Sequence, residues 1–109
     1  MKDTRYVIGL DFGTLSGRAV LVDTQSGEIV ATAVKEYAHG IIQDTLPEGG
    51  ARLGVDWCLQ DPEDYLVALQ TIVPALLQQS GVAAEQVIGL SLDFTASTLV
   101  PLDATGTPL

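Results

Sequence analysis

Two short, nearly unbroken apolar runs, Tyr6–Asp11 and Arg18–Asp23, are separated by only six residues, Phe12-Gly13-Thr14-Leu15-Ser16-Gly17. Runs of that length bounded by an acid and a glycine-rich turn read as buried strands, and so short a link forces them to lie side by side as a hairpin. A third run, Glu28–Tyr37, follows the Thr24-Gln-Ser-Gly27 turn, so a three-stranded antiparallel meander is predicted.

Further along, Asp61-Pro62-Glu63-Asp64 announces a helix: an N-cap acid, proline at the first helical position and two acids against the positive end of the dipole. Leu66, Leu69, Val73, Leu76 and Leu77 fall at helical spacing, and Gly81 stands where a C-terminal cap belongs. Pro74 removes one helical hydrogen bond, to the Gln70 carbonyl, and predicts a kink there. Val87–Asp93 reads as a further buried strand and Thr98–Leu102 as a last β piece before the Asp103–Gly106 turn. Strand, helix and returning strand make one parallel crossover, so the order βββαβ with a final β piece predicts an α/β layer.

With 109 residues the chain has room for one domain at most. Its five basic groups all lie within residues 1–52, and the 14 acids bring the net charge to −9. That balance offers neither a nucleic-acid footprint nor a polybasic cluster for an anionic membrane surface. The most apolar stretch, Leu66–Leu77, falls well short of the roughly 20 residues a spanning helix needs. The five apolar or glycine residues Tyr6–Leu10 are too few for a signal peptide, and Cys58, the single cysteine, excludes an internal disulfide and reads as a small partly buried side chain. A cytoplasmic protein is expected.

Residues 38–60 carry no readable pattern. His39, without a second ligand at metal spacing, reads as an ordinary loop residue, and Trp57 as an anchor of the loop or a substrate-side group.

The chemistry concentrates in Asp11–Arg18. Glycine lets backbone amides converge on a phosphate oxygen, Thr14 and Ser16 add hydroxyls, and the Arg18 guanidinium suits phosphate or a neighbouring carboxylate. Asp11 fits such a site only through a hard divalent cation such as Mg²⁺. On composition alone an ordinary hairpin capped by Asp11 and Ser16 stands equally well.

The run Ile8-Gly-Leu-Asp-Phe-Gly-Thr-Leu-Ser-Gly-Arg-Ala-Val-Leu-Val-Asp23 resembles the first phosphate motif of the FGGY carbohydrate kinases, which share the ribonuclease H-like fold of the actin, Hsp70 and hexokinase ATPases. Trp57-Cys-Leu-Gln-Asp-Pro62 is similar to the segment before their first helix. Asp93-Phe-Thr-Ala-Ser-Thr98 looks like the L-ribulokinases within the family, where xylulokinases carry Gln-Met-His-Gly, glycerol kinases Asn-Gln-Arg-Glu and D-ribulokinases Asp-Ala-Thr-Cys.

The resemblance implies transfer of the ATP γ-phosphoryl group to L-ribulose, giving L-ribulose 5-phosphate in arabinose breakdown. It assigns Asp11 to Mg²⁺ through water, Gly13, Thr14 and Ser16 to phosphate, and Arg18 to phosphate or to ordering the site. Phe94, Thr95 and Ala96 would line the sugar pocket, with Asp93 either accepting a sugar hydroxyl or capping the strand end. Family members have two large domains, so residues 1–109 are expected to be the N-terminal part of the first one. The catalytic base and adenosine pocket would lie outside them, leaving the fragment alone inactive. A homo-oligomer acting on small molecules is expected. The alternatives are another pentulose or polyol kinase of the family, such as a D-ribulokinase or xylulokinase, or a non-catalytic module of the same fold.

Overall fold

The computed structural model describes residues 3–43, 45–46, 50–54, 59–95 and 98–108. Strands β1 (Tyr6–Phe12), β2 (Ser16–Asp23) and β3 (Ile29–Glu36) are followed by helix α1 (Pro62–Ser80), a single 3₁₀ turn and strand β4 (Val87–Phe94). The sheet order is β3-β2-β1-β4, with β1 antiparallel to β2, β2 antiparallel to β3, and β4 parallel to β1. This is the predicted meander and crossover.

The alternation of each strand selects its buried face. Ile8, Leu10 and Phe12 of β1, Ala19 and Leu21 of β2 and Ala31 of β3 form one core with Tyr65, Ala68, Ile72 and Leu76 of α1. At roughly 25 cal/mol per Å² this shared burial is the main favourable term holding helix to sheet. Gly17 allows the close approach, because a Cβ there would stand 3.2 Å from the Ala68 Cβ and 3.5 Å from Ile72.

The helix begins as expected. The Asp61 side chain accepts from the Glu63 N–H at 3.0 Å, Pro62 opens the helix, and Gly81, at φ 74°, closes it with its N–H on the Leu77 carbonyl. The buried stripe differs in part from the predicted one. Leu76 is buried as expected and Leu69 and Val73 pack at the edge of the core, but Leu66 is 45% exposed, and Tyr65, Ala68 and Ile72 complete the face toward the sheet. The small Ala68 fits against Gly17, where a leucine would collide. Pro74 lies within the helix, which continues to Ser80, and both Pro74 and Gln70 are exposed, so water can satisfy the carbonyl that proline leaves unpaired.

The Thr24–Gly27 turn forms as predicted, with Gly27 at φ 76° and the Asp23 carboxylate accepting from the Gln25 N–H. Where a last β piece was expected over Thr98–Leu102, a single bridge, Leu102 to Pro108, closes the chain. Between its ends one oxygen of Asp103 accepts from the Thr105 hydroxyl and from the Thr107 and Thr105 amides, bonds that hold its carboxyl below the usual range. That turn makes its hydrogen bonds locally and needs no neighbouring strand.

Helix α1 lies over β2 and β3, which leaves β4 uncovered on the same side of the sheet. Ile88, Leu90 and Leu92 continue the face of Ile8 and Leu10 yet are 49–56% exposed. Among the described residues no helix is long and apolar enough to cross a membrane.

Candidate functional site

The register of the sheet brings three of the expected residues together. Asp11 of β1 lies opposite Arg18 of β2, and Asp93 of β4 lies beside Asp11 on the other side. All three are exposed on the face away from α1, and with Gly9, Ala19 and Ser91 they line an open groove of about 420 Å³. Neighbouring side chains on one face of a sheet stand roughly 5 Å apart, so two carboxylates and one guanidinium converge on a common volume. The groove lies near the carboxyl ends of β1 and β4, where ligands gather in sheets containing parallel strands. Among the described residues Arg18 makes no ion pair.

The turn beside the groove is tightly made. Gly13 donates its N–H to the Ser16 carbonyl at 2.9 Å, and a Cβ on Gly13 would stand 3.2 Å from that same oxygen. Its amide therefore closes the turn, and its small size keeps the turn narrow. The carbonyls of the next two residues are held from outside, Thr14 by the Gln60 side chain at 2.7 Å and Leu15 by the Tyr37 N–H at 2.9 Å. Thr14 is exposed and Ser16 half-buried.

Phe94 lies on the opposite face from Asp93. It stacks on Phe12 with ring centroids 4.7 Å apart, and Tyr65 meets both rings edge-on at 5.7 and 5.3 Å. Thr95 donates its hydroxyl to the Phe12 carbonyl at 3.2 Å, tying the end of β4 to the end of β1. Ala96, like Trp57 and Cys58, lies outside the described residues. The strand end thus directs successive residues to two sides of the sheet, Asp93 to the open groove and Phe94 to the aromatic cluster.

A second concavity, of about 570 Å³, opens on the helix side against Gln60, Pro62, Tyr65, Thr98 and Val100. Tyr65 donates its hydroxyl to Gln60 Oε1, and burial raises its pKa above the ordinary phenol value, an effect the Thr98 hydroxyl partly offsets. Gln60 and Tyr65 had no signal in the sequence pattern, because their roles arise where the loop, the helix start and the turn meet.

The N-terminal domain of the FGGY family of carbohydrate kinases matches residues 6–109. The chain belongs to that family. The ribulokinase of Geobacillus thermodenitrificans is 55% identical over 105 residues, covering 96% of this chain and 18% of that protein. That of Halalkalibacterium halodurans is 50% identical over 106 residues, covering 97% and 19%. Among solved structures, a gluconate kinase from Lactobacillus acidophilus superposes with a TM-score of 0.75 at 26% identity, covering 97% of this chain and 18% of the other. A xylulose kinase from the same organism gives 0.74 at 27%, covering 96% and 18%. The FGGY chain therefore has part of the ribonuclease H-like ATPase fold, and it spans about a fifth of the length of the curated relatives it matches.

Proposed function

We propose that these 109 residues are the N-terminal part of the first domain of an L-ribulokinase, which transfers the γ-phosphoryl group of ATP to L-ribulose. The observation that carries this reading is the meeting of Asp11, Arg18 and Asp93 on one sheet face beside the Gly13–Ser16 turn, in a chain 50–55% identical to proteins named ribulokinase. The uncovered row Ile88, Leu90 and Leu92 is, on this reading, where the rest of the first domain packs.

Phosphoryl transfer asks little covalent chemistry of a protein and much positioning and charge compensation. An acidic chain repels ATP, so a divalent cation between carboxylate and phosphates suits this donor set, and Asp11 would hold hydrated Mg²⁺. When bound, that cation neutralises charge developing on the phosphates. Arg18 offers its planar fork to a phosphate oxygen, and Thr14 and Ser16 offer hydroxyls. Gly13 would act through the shape it gives the turn. Asp93 would accept a sugar hydroxyl at the strand end, with Phe94, Thr95 and Ala96 shaping the pentulose site. No general base is assigned within these residues, so turnover is expected of the longer protein and not of this segment by itself. The reading places the enzyme in the cytoplasm, as a homo-oligomer acting on small molecules, with neither nucleic acid nor membrane as partner.

A coupled assay of the longer protein on a panel of L-ribulose, D-ribulose, D-xylulose and glycerol tests it. The highest kcat/KM should fall on L-ribulose, and a preference for D-xylulose or glycerol overturns the substrate while leaving the kinase.

A further inference from the structure

On the other side of the sheet from the Asp11 groove, the loop after β3 meets the first turn of α1 through one histidine and two aspartates. His39 Nδ1 is 3.0 Å from Asp61 Oδ2 and 3.1 Å from Asp64 Oδ1. Each carboxylate has its other oxygen held by a backbone amide: Asp61 Oδ1 accepts from the Glu63 N–H at 3.0 Å, and Asp64 Oδ2 from the His39 N–H at 3.2 Å. The free oxygens are thereby aimed at the same ring nitrogen, and the three ligand atoms lie within 4.8 Å of one another.

We propose that His39, Asp61 and Asp64 bind a divalent transition-metal cation of the zinc type, at a site distinct from the Asp11 groove.

The first reason is charge. Asp64 is 5% exposed, and among the described residues its only cationic partner is His39, which Asp61 shares. Burying a carboxylate is costly unless a positive group stands beside it. One proton on Nδ1 can be donated well to one oxygen, whereas a cation at the focus meets all three ligand atoms at once.

Geometry is the second. With metal–ligand distances of about 2.1 Å, each carboxylate oxygen, 3.0–3.1 Å from the ring nitrogen, would subtend nearly a right angle with it at the ion, and water would fill the remaining positions. One imidazole nitrogen with two carboxylate oxygens suits zinc and its first-row neighbours better than the all-oxygen sites of calcium. The amides that fix both carboxylates are the kind of outer support that orients metal ligands.

Access is the third. The His39 side chain is 39% exposed, so an ion can enter from solvent, and the net charge of −9 concentrates cations at the surface. Bound metal would tie the loop after β3 to the start of α1, one residue from the Gln60 bond to the Gly13–Ser16 turn.

Zn²⁺ titrated calorimetrically into the chain, with Cys58→Ser to remove its single thiol, tests the proposal. A saturable one-to-one isotherm is expected, together with a displaced ¹⁵N resonance for His39 Nδ1. Asp61→Asn keeps an oxygen to cap Glu63 but removes a carboxylate, and should weaken binding roughly tenfold or more with an unchanged circular dichroism spectrum. His39→Ala should abolish binding. Absence of a saturable isotherm with the folded chain, or an isotherm indifferent to both substitutions, overturns the proposal and leaves the three residues as a hydrogen-bonded clamp.

Discussion

Gln60 and Thr14, 46 residues apart, are joined by a hydrogen bond of 2.7 Å from Gln60 Nε2 to the Thr14 carbonyl, while Gln60 Oε1 accepts the Tyr65 hydroxyl. One amide side chain therefore connects the Gly13–Ser16 turn to the helix that walls the second concavity. Replacing Gln60 by leucine keeps the bulk and removes both bonds, which should lower stability by about 1 kcal/mol. Hydrogen exchange followed by NMR should show faster exchange at Thr14 and Leu15 with little change in β1. Unaltered exchange at the turn would mean that the turn holds itself.

Asp11 faces Arg18 and Asp93 in register, and its proposed task is charge compensation during phosphoryl transfer. Asp11→Asn in the longer enzyme should lower kcat by at least about tenfold, with a much smaller change in the KM for sugar, as expected for an interaction gained mainly in the transition state. Steady-state kinetics at saturating Mg²⁺ separates the two parameters, and an unchanged kcat returns Asp11 to a turn-capping role.

Gly17 sits tightly against α1, where a Cβ would stand 3.2 Å from the Ala68 Cβ and 3.5 Å from Ile72 and Phe12. Gly17→Val should destabilise the fold by about 1–3 kcal/mol through overpacking. Pairing it with Ala68→Gly should recover part of that loss, and a double-mutant cycle in urea measures the coupling. Strict additivity would show that the strain is relieved elsewhere.

The Tyr37 phenol is pushed up to about 12, first by burial and then by Tyr65, Asp11 and Asp64. Below the ordinary value of 10.0 the phenol is neutral whether the chain is folded or unfolded, so ionisation favours neither. Above it the unfolded chain loses the proton while the folded one keeps it, so stability falls as pH rises from 10.0 to about 12. Tyr37→Phe should remove that alkaline loss. At neutral pH it should leave stability unchanged or raise it by about 1 kcal/mol, since the hydroxyl it deletes is buried without a partner among the described residues. Urea midpoints at pH 7 and pH 11 check both statements.

Local pattern alone determined the meander, the helix with its caps at Asp61 and Gly81, the parallel return of β4 and the Asp11–Arg18 turn. Each depends on period, turn chemistry or capping within a few residues, which a linear reading can see. Two things needed the tertiary structure. Which stripe of α1 is buried depended on Gly17 admitting Ala68 across the layer, so Tyr65, Ala68 and Ile72 join Leu76 on the buried face while Leu66 stays exposed. His39 looked solitary in sequence because its partners lie 22 and 25 positions away, and only the docking of the β3 loop onto the capped start of α1 brings their oxygens to 3.0 and 3.1 Å. The physical reason is common to both: periodicity states which residues share a face, but not what that face meets.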